Sequence, residues 1–161
     1  GRFFAKQIAA DARIVAEENT EPRADALSLS GRWLHQHEFN DEASEILAEA
    51  IRTYRGCEPK NQRQRDELQR SLASTLAYQA ETLSAIGRWS EAEGAARECI
   101  SIRQRVLEPE DEWLITNARS ILGAAIAGQE RFQDAEPILL DADKKLRSSI
   151  LVPAENQRRS R

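Results

Sequence analysis

Two stretches of the chain are variants of one another, and their spacing limits the fold more than any other feature. Residues 87–99 begin Gly-Arg-Trp-Ser-Glu-Ala-Glu and end at Cys99, while 130–142 begin Glu-Arg-Phe-Gln-Asp-Ala-Glu and end at Ala142. A weaker copy runs over 38–50, from Glu38-Phe39 through Ala43 to Ala50. Each copy carries an aromatic, then a small residue (Ala43, Ala92, Ala135), then a second small residue seven positions on (Ala50, Cys99, Ala142). Seven residues are two helical turns, so both small residues share one helix face that a neighbouring helix can approach closely. Self-similarity on this length scale belongs to stacked units, none of which buries its apolar face alone.

Helical periodicity fills the remainder. Phe4, Ile8, Ala12, Val15 and Ala16 predict a first helix over 3–18. A second, over 22–36, is capped by Thr20 or Glu21, with Pro22 in its first turn and Leu27, Gly31 and Leu34 on one face. Helices follow at 40–55, with Gly56 as C-cap, and at 63–86, stopped by Gly87. Three more are expected: 89–107; 112–127, capped by Asp111 or Glu112 and ended by Gly128; and 131–149. No segment alternates with the two-residue period of a strand, so the expected fold is all-α. The expected organisation is an N-terminal helix at 1–20, as the second helix of a truncated repeat or a cap, repeats at 21–56, 57–108 and 109–149, and a basic tail at 150–161.

Composition narrows the function classes. A net charge of −4 weighs against a nucleic-acid binder. No apolar run approaches the roughly 20 residues of a membrane helix, and Gly1-Arg2-Phe3-Phe4 is not a signal peptide. The absence of methionine, the initiator included, predicts a piece of a longer protein. Cys57 and Cys99 are too few and too unlike in setting for a disulfide framework; Cys99 takes the small-residue slot as a buried thiol, and a reducing cytoplasmic compartment is expected.

The reactive constellations are sparse. His35 and His37 lie two apart near a helix end, where side chains diverge, and read as a solvated terminus rather than a metal site. There is no nucleophile elbow, Gly-rich phosphate loop or kinase catalytic signature, so no catalytic residue, metal or cofactor is assigned. The acidic cluster Glu38, Asp41, Glu42, Glu45 and Glu49 reads as a solvent face. Lys144, Lys145, Arg147, Arg158, Arg159 and Arg161 read as helix-end and tail charges. Trp89 is expected in the core, and Trp33 and Trp113 in packing between repeats or as exposed anchors.

The helix-pair punctuation resembles the tetratricopeptide repeat, which places small residues in each helix and an aromatic at the turn. Leu122-Gly123, Ile126, Phe132, Ala135, Leu139 and Ala142 fill its slots in the third pair. Leu76, Ala80, Leu83, Gly87, Trp89, Ala92, Ala96 and Cys99 do so in the second. The first is degenerate, retaining Leu27, Gly31, Leu34, Ala43, Leu47 and Ala50 with Phe39 one residue from its slot. The step from Ala92 to Ala135 is 43 residues, like the longer repeats of kinesin light chains and their bacterial relatives. Residues 117–123 and 136–140 resemble the tetratricopeptide regions that follow many bacterial serine/threonine kinases.

The resemblance implies a right-handed α-solenoid of about seven helices and a non-catalytic, protein-binding scaffold in a cytoplasmic signalling protein. The alternative is the partner- or ligand-sensing part of a DNA-binding transcriptional regulator. It further implies a concave groove lined by the first helices, with Ser28, Arg32 and His35, then Tyr78, Glu81 and Ala85, then Asn117, Ser120, Ile121 and Ala124. Partner contact is expected to centre on Arg32, Tyr78, Glu81, Asn117 and Ile121. The asparagines of the two-carboxylate clamp are replaced by Leu29, Tyr78 and Ile121, so the expected partner is an apolar or extended peptide or domain rather than a C-terminal carboxylate.

Overall fold

The computed structural model describes residues 2–15 and 19–151. Among them seven α-helices run in order: α1 (Arg2–Val15), α2 (Glu21–Gln36), α3 (Asn40–Gly56), α4 (Gln62–Ala85), α5 (Trp89–Val106), α6 (Glu112–Gly128) and α7 (Phe132–Leu151). A 3₁₀ turn at Pro109–Asp111 precedes α6. Each helix packs on its neighbours in sequence, and α2, α4 and α6 also touch in succession. The result is an all-α solenoid of antiparallel pairs, with α1 lying on α2. The ends of the predicted first helix and of the basic tail, 16–18 and 152–161, fall outside the described residues.

The small-residue slots are the seam of the array. Ala43, Ala92 and Ala135 are buried, as are Ala50, Cys99 and Ala142 seven residues on. Burial also pushes the Cys99 thiol up to about 11, leaving it an inert core side chain. α1 departs from expectation. It turns Ala5 and Ala9 inward, and Phe4 is 65% exposed, because the narrower alanine stripe lets α1 lie close against α2. Ser30 of α2 donates a hydrogen bond to the Ala5 carbonyl at that contact.

The three turns within the pairs share one geometry. Glu38, Gly87 and Glu130 adopt φ of 64°, 76° and 61°. The following amide reaches back five residues: Phe39 to the Leu34 carbonyl, Arg88 to Leu83 and Arg131 to Ile126. This Schellman closure requires a left-handed residue at the helix stop. Only the second repeat supplies the residue that adopts it without cost, and a non-glycine residue there costs about 1 kcal/mol. Glu130→Gly is therefore expected to stabilise the protein by about 0.5–1 kcal/mol, read from the midpoint of urea unfolding. No change would mean that the Glu130 side chain makes a compensating contact.

Gly56 and Gly128 were expected as helix stops, and the structure assigns them another task. Both are the last helical residues of their helices, and neither takes positive φ. A Cβ on Gly56 would lie 2.5 Å from Asn19, and one on Gly128 2.3 Å from the Trp89 ring. They are contact points where another part of the chain needs the space of a missing side chain. Trp89 is accordingly only half-buried, lying across the next helix pair rather than inside its own. Phe132, two residues after the left-handed Glu130 as Trp89 is after Gly87, is 64% exposed because no described helix follows α7.

Candidate functional site

The face made by α2, α4 and α6 gathers four of the polar residues expected there. The guanidinium of Arg32 lies 4.7 Å from the centre of the Tyr78 ring, a cation–π contact between successive pairs. His35 meets the same ring edge-on at 6.1 Å. Its Nδ1 is 3.1 Å from both Asn40 Oδ1 and Thr82 Oγ1. The Thr82 hydroxyl donates its hydrogen to the Tyr78 carbonyl at 2.7 Å, so its oxygen accepts from His35. That assigns the proton to His35 Nδ1 and leaves Nε2 facing Glu81 Oε2 at 3.7 Å. Burial holds the Glu81 carboxyl above its ordinary value, with His35 and Arg103 pulling the other way.

Arg32 stands apart electrostatically. It makes no ion pair among the described residues, and its Nε is buried without a hydrogen-bond partner. A planar cation fixed on an aromatic ring, with donors unfilled, is suited to a carboxylate or carbonyl brought by a partner. Leu29, one turn earlier on α2, is 56% exposed.

Two of the expected contacts fall elsewhere. Ile121 takes the slot of Tyr78 but is only 8% exposed, because its short branched side chain packs down into the core and has no hydroxyl to carry outward. Asn117 is partly exposed on α6 and forms no hydrogen bond or ion pair with Arg32, Tyr78 or Glu81 among the described residues. Ser28 is also withdrawn, since its hydroxyl pairs with that of Thr75 at 2.8 Å between α2 and α4.

His35 is thus no solvated helix end, because it ties the first pair to the second; His37 instead stacks on Trp33 at 3.7 Å. Trp113 remains half-exposed at the start of α6. Local sequence patterns also miss Arg103. It is buried on α5 and donates to the Leu114 carbonyl of α6. Its slot, eleven residues after Ala92, corresponds to Tyr54, which also carries a polar group to another helix but reaches back within its own pair, donating to Asp25 Oδ1 of α2 at 2.5 Å. Comparing the copies slot by slot would have marked it.

The acidic cluster divides in two. Glu38, Asp41 and Glu45 are exposed as expected. Glu42 instead pairs with Lys6 at 3.3 Å, and Glu49 with Arg13 of α1, which holds the Glu49 carboxyl below its usual range. Among the described residues no three His, Cys, Asp or Glu side chains converge as metal ligands. No helix of the described residues is long and apolar enough to cross a membrane.

No curated protein matches the chain. Residues 72–111 match the family model of the tetratricopeptide repeat. They span much of α4, all of α5 and the turn after it, so the similarity to a tetratricopeptide repeat covers the central helix pair of this all-α array, which has another helix pair on either side.

Proposed function

We propose that the array is a non-catalytic interaction module that holds an extended peptide or a domain of another protein along the concave face of α2, α4 and α6. Tetratricopeptide repeats in general mediate contacts between proteins, and the observation that carries the reading here is Arg32. Its guanidinium is fixed over Tyr78, free of any ion pair among the described residues, beside exposed Leu29. This is an unfilled polar anchor next to an apolar one, the combination that concentrates binding energy in interfaces. The contact set is Leu29, Arg32, Tyr78 and Glu81, with Asn117 at the far end and Ile121 removed. The resemblance of 117–123 and 136–140 supports placing the module in a cytoplasmic bacterial signalling protein such as a serine/threonine kinase. The repeats fall at 21–56, 57–108 and 109–149, after an N-terminal helix unit.

Capture from a lysate followed by titration of the captured protein tests this. An Arg32→Ala/Tyr78→Ala double variant with wild-type helicity is expected to weaken that affinity at least about tenfold. Glu45→Ala, whose side chain is exposed outside the groove, is expected to leave it unchanged. Equal affinity for the double variant would remove the groove as the binding surface.

A further inference from the structure

α1 and the second helices of the first two pairs, α3 and α5, are joined by a repeated latch. Arg13 of α1 hydrogen-bonds Glu49 of α3 at 2.9 Å, and Arg55 of α3 hydrogen-bonds Glu98 of α5 at 2.7 and 2.8 Å. The acids take one slot, six residues after Ala43 and Ala92, and Arg55 lies twelve after Ala43. At the next junction these slots fall on Gln104 and Asp141. The shorter, uncharged amide and the shortened acid form no hydrogen bond with each other among the described residues. Among the described residues the side-chain link across this junction lies at its far end, where Arg131, just before α7, bonds Glu93 of α5 at 2.9 Å, and beyond it a cleft of about 450 Å³ opens between α5 and α7.

The cleft is chemically two-sided. Ile100, Leu122, Pro137 and Ile138 give it an apolar lining, and Arg97, Arg119 and Asp141 line it with charge. Arg119 takes the slot that Leu76 fills, buried, in the preceding pair, so a core leucine is exchanged for a guanidinium. That guanidinium has only a long ion pair, 3.7 Å, to Asp141 and no hydrogen bond among the described residues. Asp141 is held more closely by Lys145 at 3.0 Å, which offsets its charge. Arg97 is tied to Glu93 at 2.7 Å and adds a second positive group.

We propose that this cleft binds a small apolar carboxylate, a one- or two-ring aromatic acid whose ring lies on Ile100, Leu122 and Ile138 and whose carboxylate takes the unfilled donors of Arg119. The volume falls within the ~300–1,000 Å³ of small-molecule sites, and the planar fork of arginine matches a carboxylate bidentately. The site lies on the second-helix side of the array and is independent of the α2/α4/α6 groove.

Titration with 2-naphthoate, followed by calorimetry and by shifts of the protein's NMR resonances, tests it. Saturable binding is expected, weakened about tenfold or more by Arg119→Gln and by exchanging the ligand for uncharged 2-naphthamide. Gln104→Arg/Asp141→Glu rebuilds the latch of the earlier junctions. This variant is expected to melt no lower than wild type and to lose binding, because the new arginine crosses the cleft. Absence of saturable binding to wild type, equal affinity for the amide, or undiminished binding by the folded latch variant would each overturn the site.

Discussion

Ala92→Glu is expected to cost the array about 4 kcal/mol or more, enough to lower its thermal midpoint steeply or abolish the cooperative melt. Ala92 is fully buried and packs with Leu83 of its own pair and Ala125 of the next, so a side chain there faces two other helices at once. A carboxylate in that contact has neither water nor a cation, and it can relax only by prising α5 from α4 and α6 or by taking up a proton. Against a total stability of about 5–15 kcal/mol, either is ruinous. Ala135→Glu places the same charge at the same slot of the last pair. Stacked repeats are stabilised by nearest neighbours, so that variant is expected to strip α6 and α7 while α2–α5 remain helical. Glu45→Ala, on an exposed position of α3, should shift stability by less than about 0.5 kcal/mol. Thermal melts followed by far-UV circular dichroism compare the three, and equal midpoints would refute the slot assignment.

The seam was legible because it rests on residue size, and size at a fixed spacing survives in a sequence even when other identities drift. Helix existence was legible for the same reason, the 3.6-residue period being a property of the backbone. The orientation of α1 was less so: Phe4/Ile8 and Ala5/Ala9 are two apolar stripes one residue apart, and only the neighbouring α2 selects between them. Glycine gave an ambiguous signal, since Gly87 marks a left-handed stop whereas Gly56 and Gly128 mark close approach. The candidate site was half visible. Arg32 meets Tyr78, and Glu81 joins them through His35, yet Ile121 shares the Tyr78 slot and is buried, because a slot fixes direction and the side chain's length fixes whether it emerges. The latches were invisible to any local window, since Arg13–Glu49 and Arg55–Glu98 join residues 36 and 43 apart.

Gly31→Ala and Leu47→Ala are each expected to destabilise the protein, and together to destabilise it by clearly less than their sum. Gly31 lies in the middle of α2, where glycine is about 1 kcal/mol worse than alanine for the helix itself. It is there because Leu47 of α3 occupies the space: a Cβ on Gly31 would sit 2.6 Å from Leu47 Cγ. Leu47 is fully buried and cannot swing aside, so overpacking of about 1–3 kcal/mol outweighs the propensity gain. Leu47→Ala alone opens a cavity at a cost of about 2–5 kcal/mol. The other pairs indicate how the two changes combine. The third repeats the arrangement, with a Cβ on Gly123 falling 2.6 Å from Leu139. The second has Ala80 and Ala96 at these slots, both buried, so the array already contains the alanine–alanine solution at the same register. The double variant recreates that solution in the first pair, relieving the clash and part of the cavity. A coupling of about 1–2 kcal/mol in its favour is expected from a urea-denaturation cycle. Strict additivity would mean that α2 and α3 shift apart to absorb each change separately, and that the glycine–leucine pair does not set the distance between them.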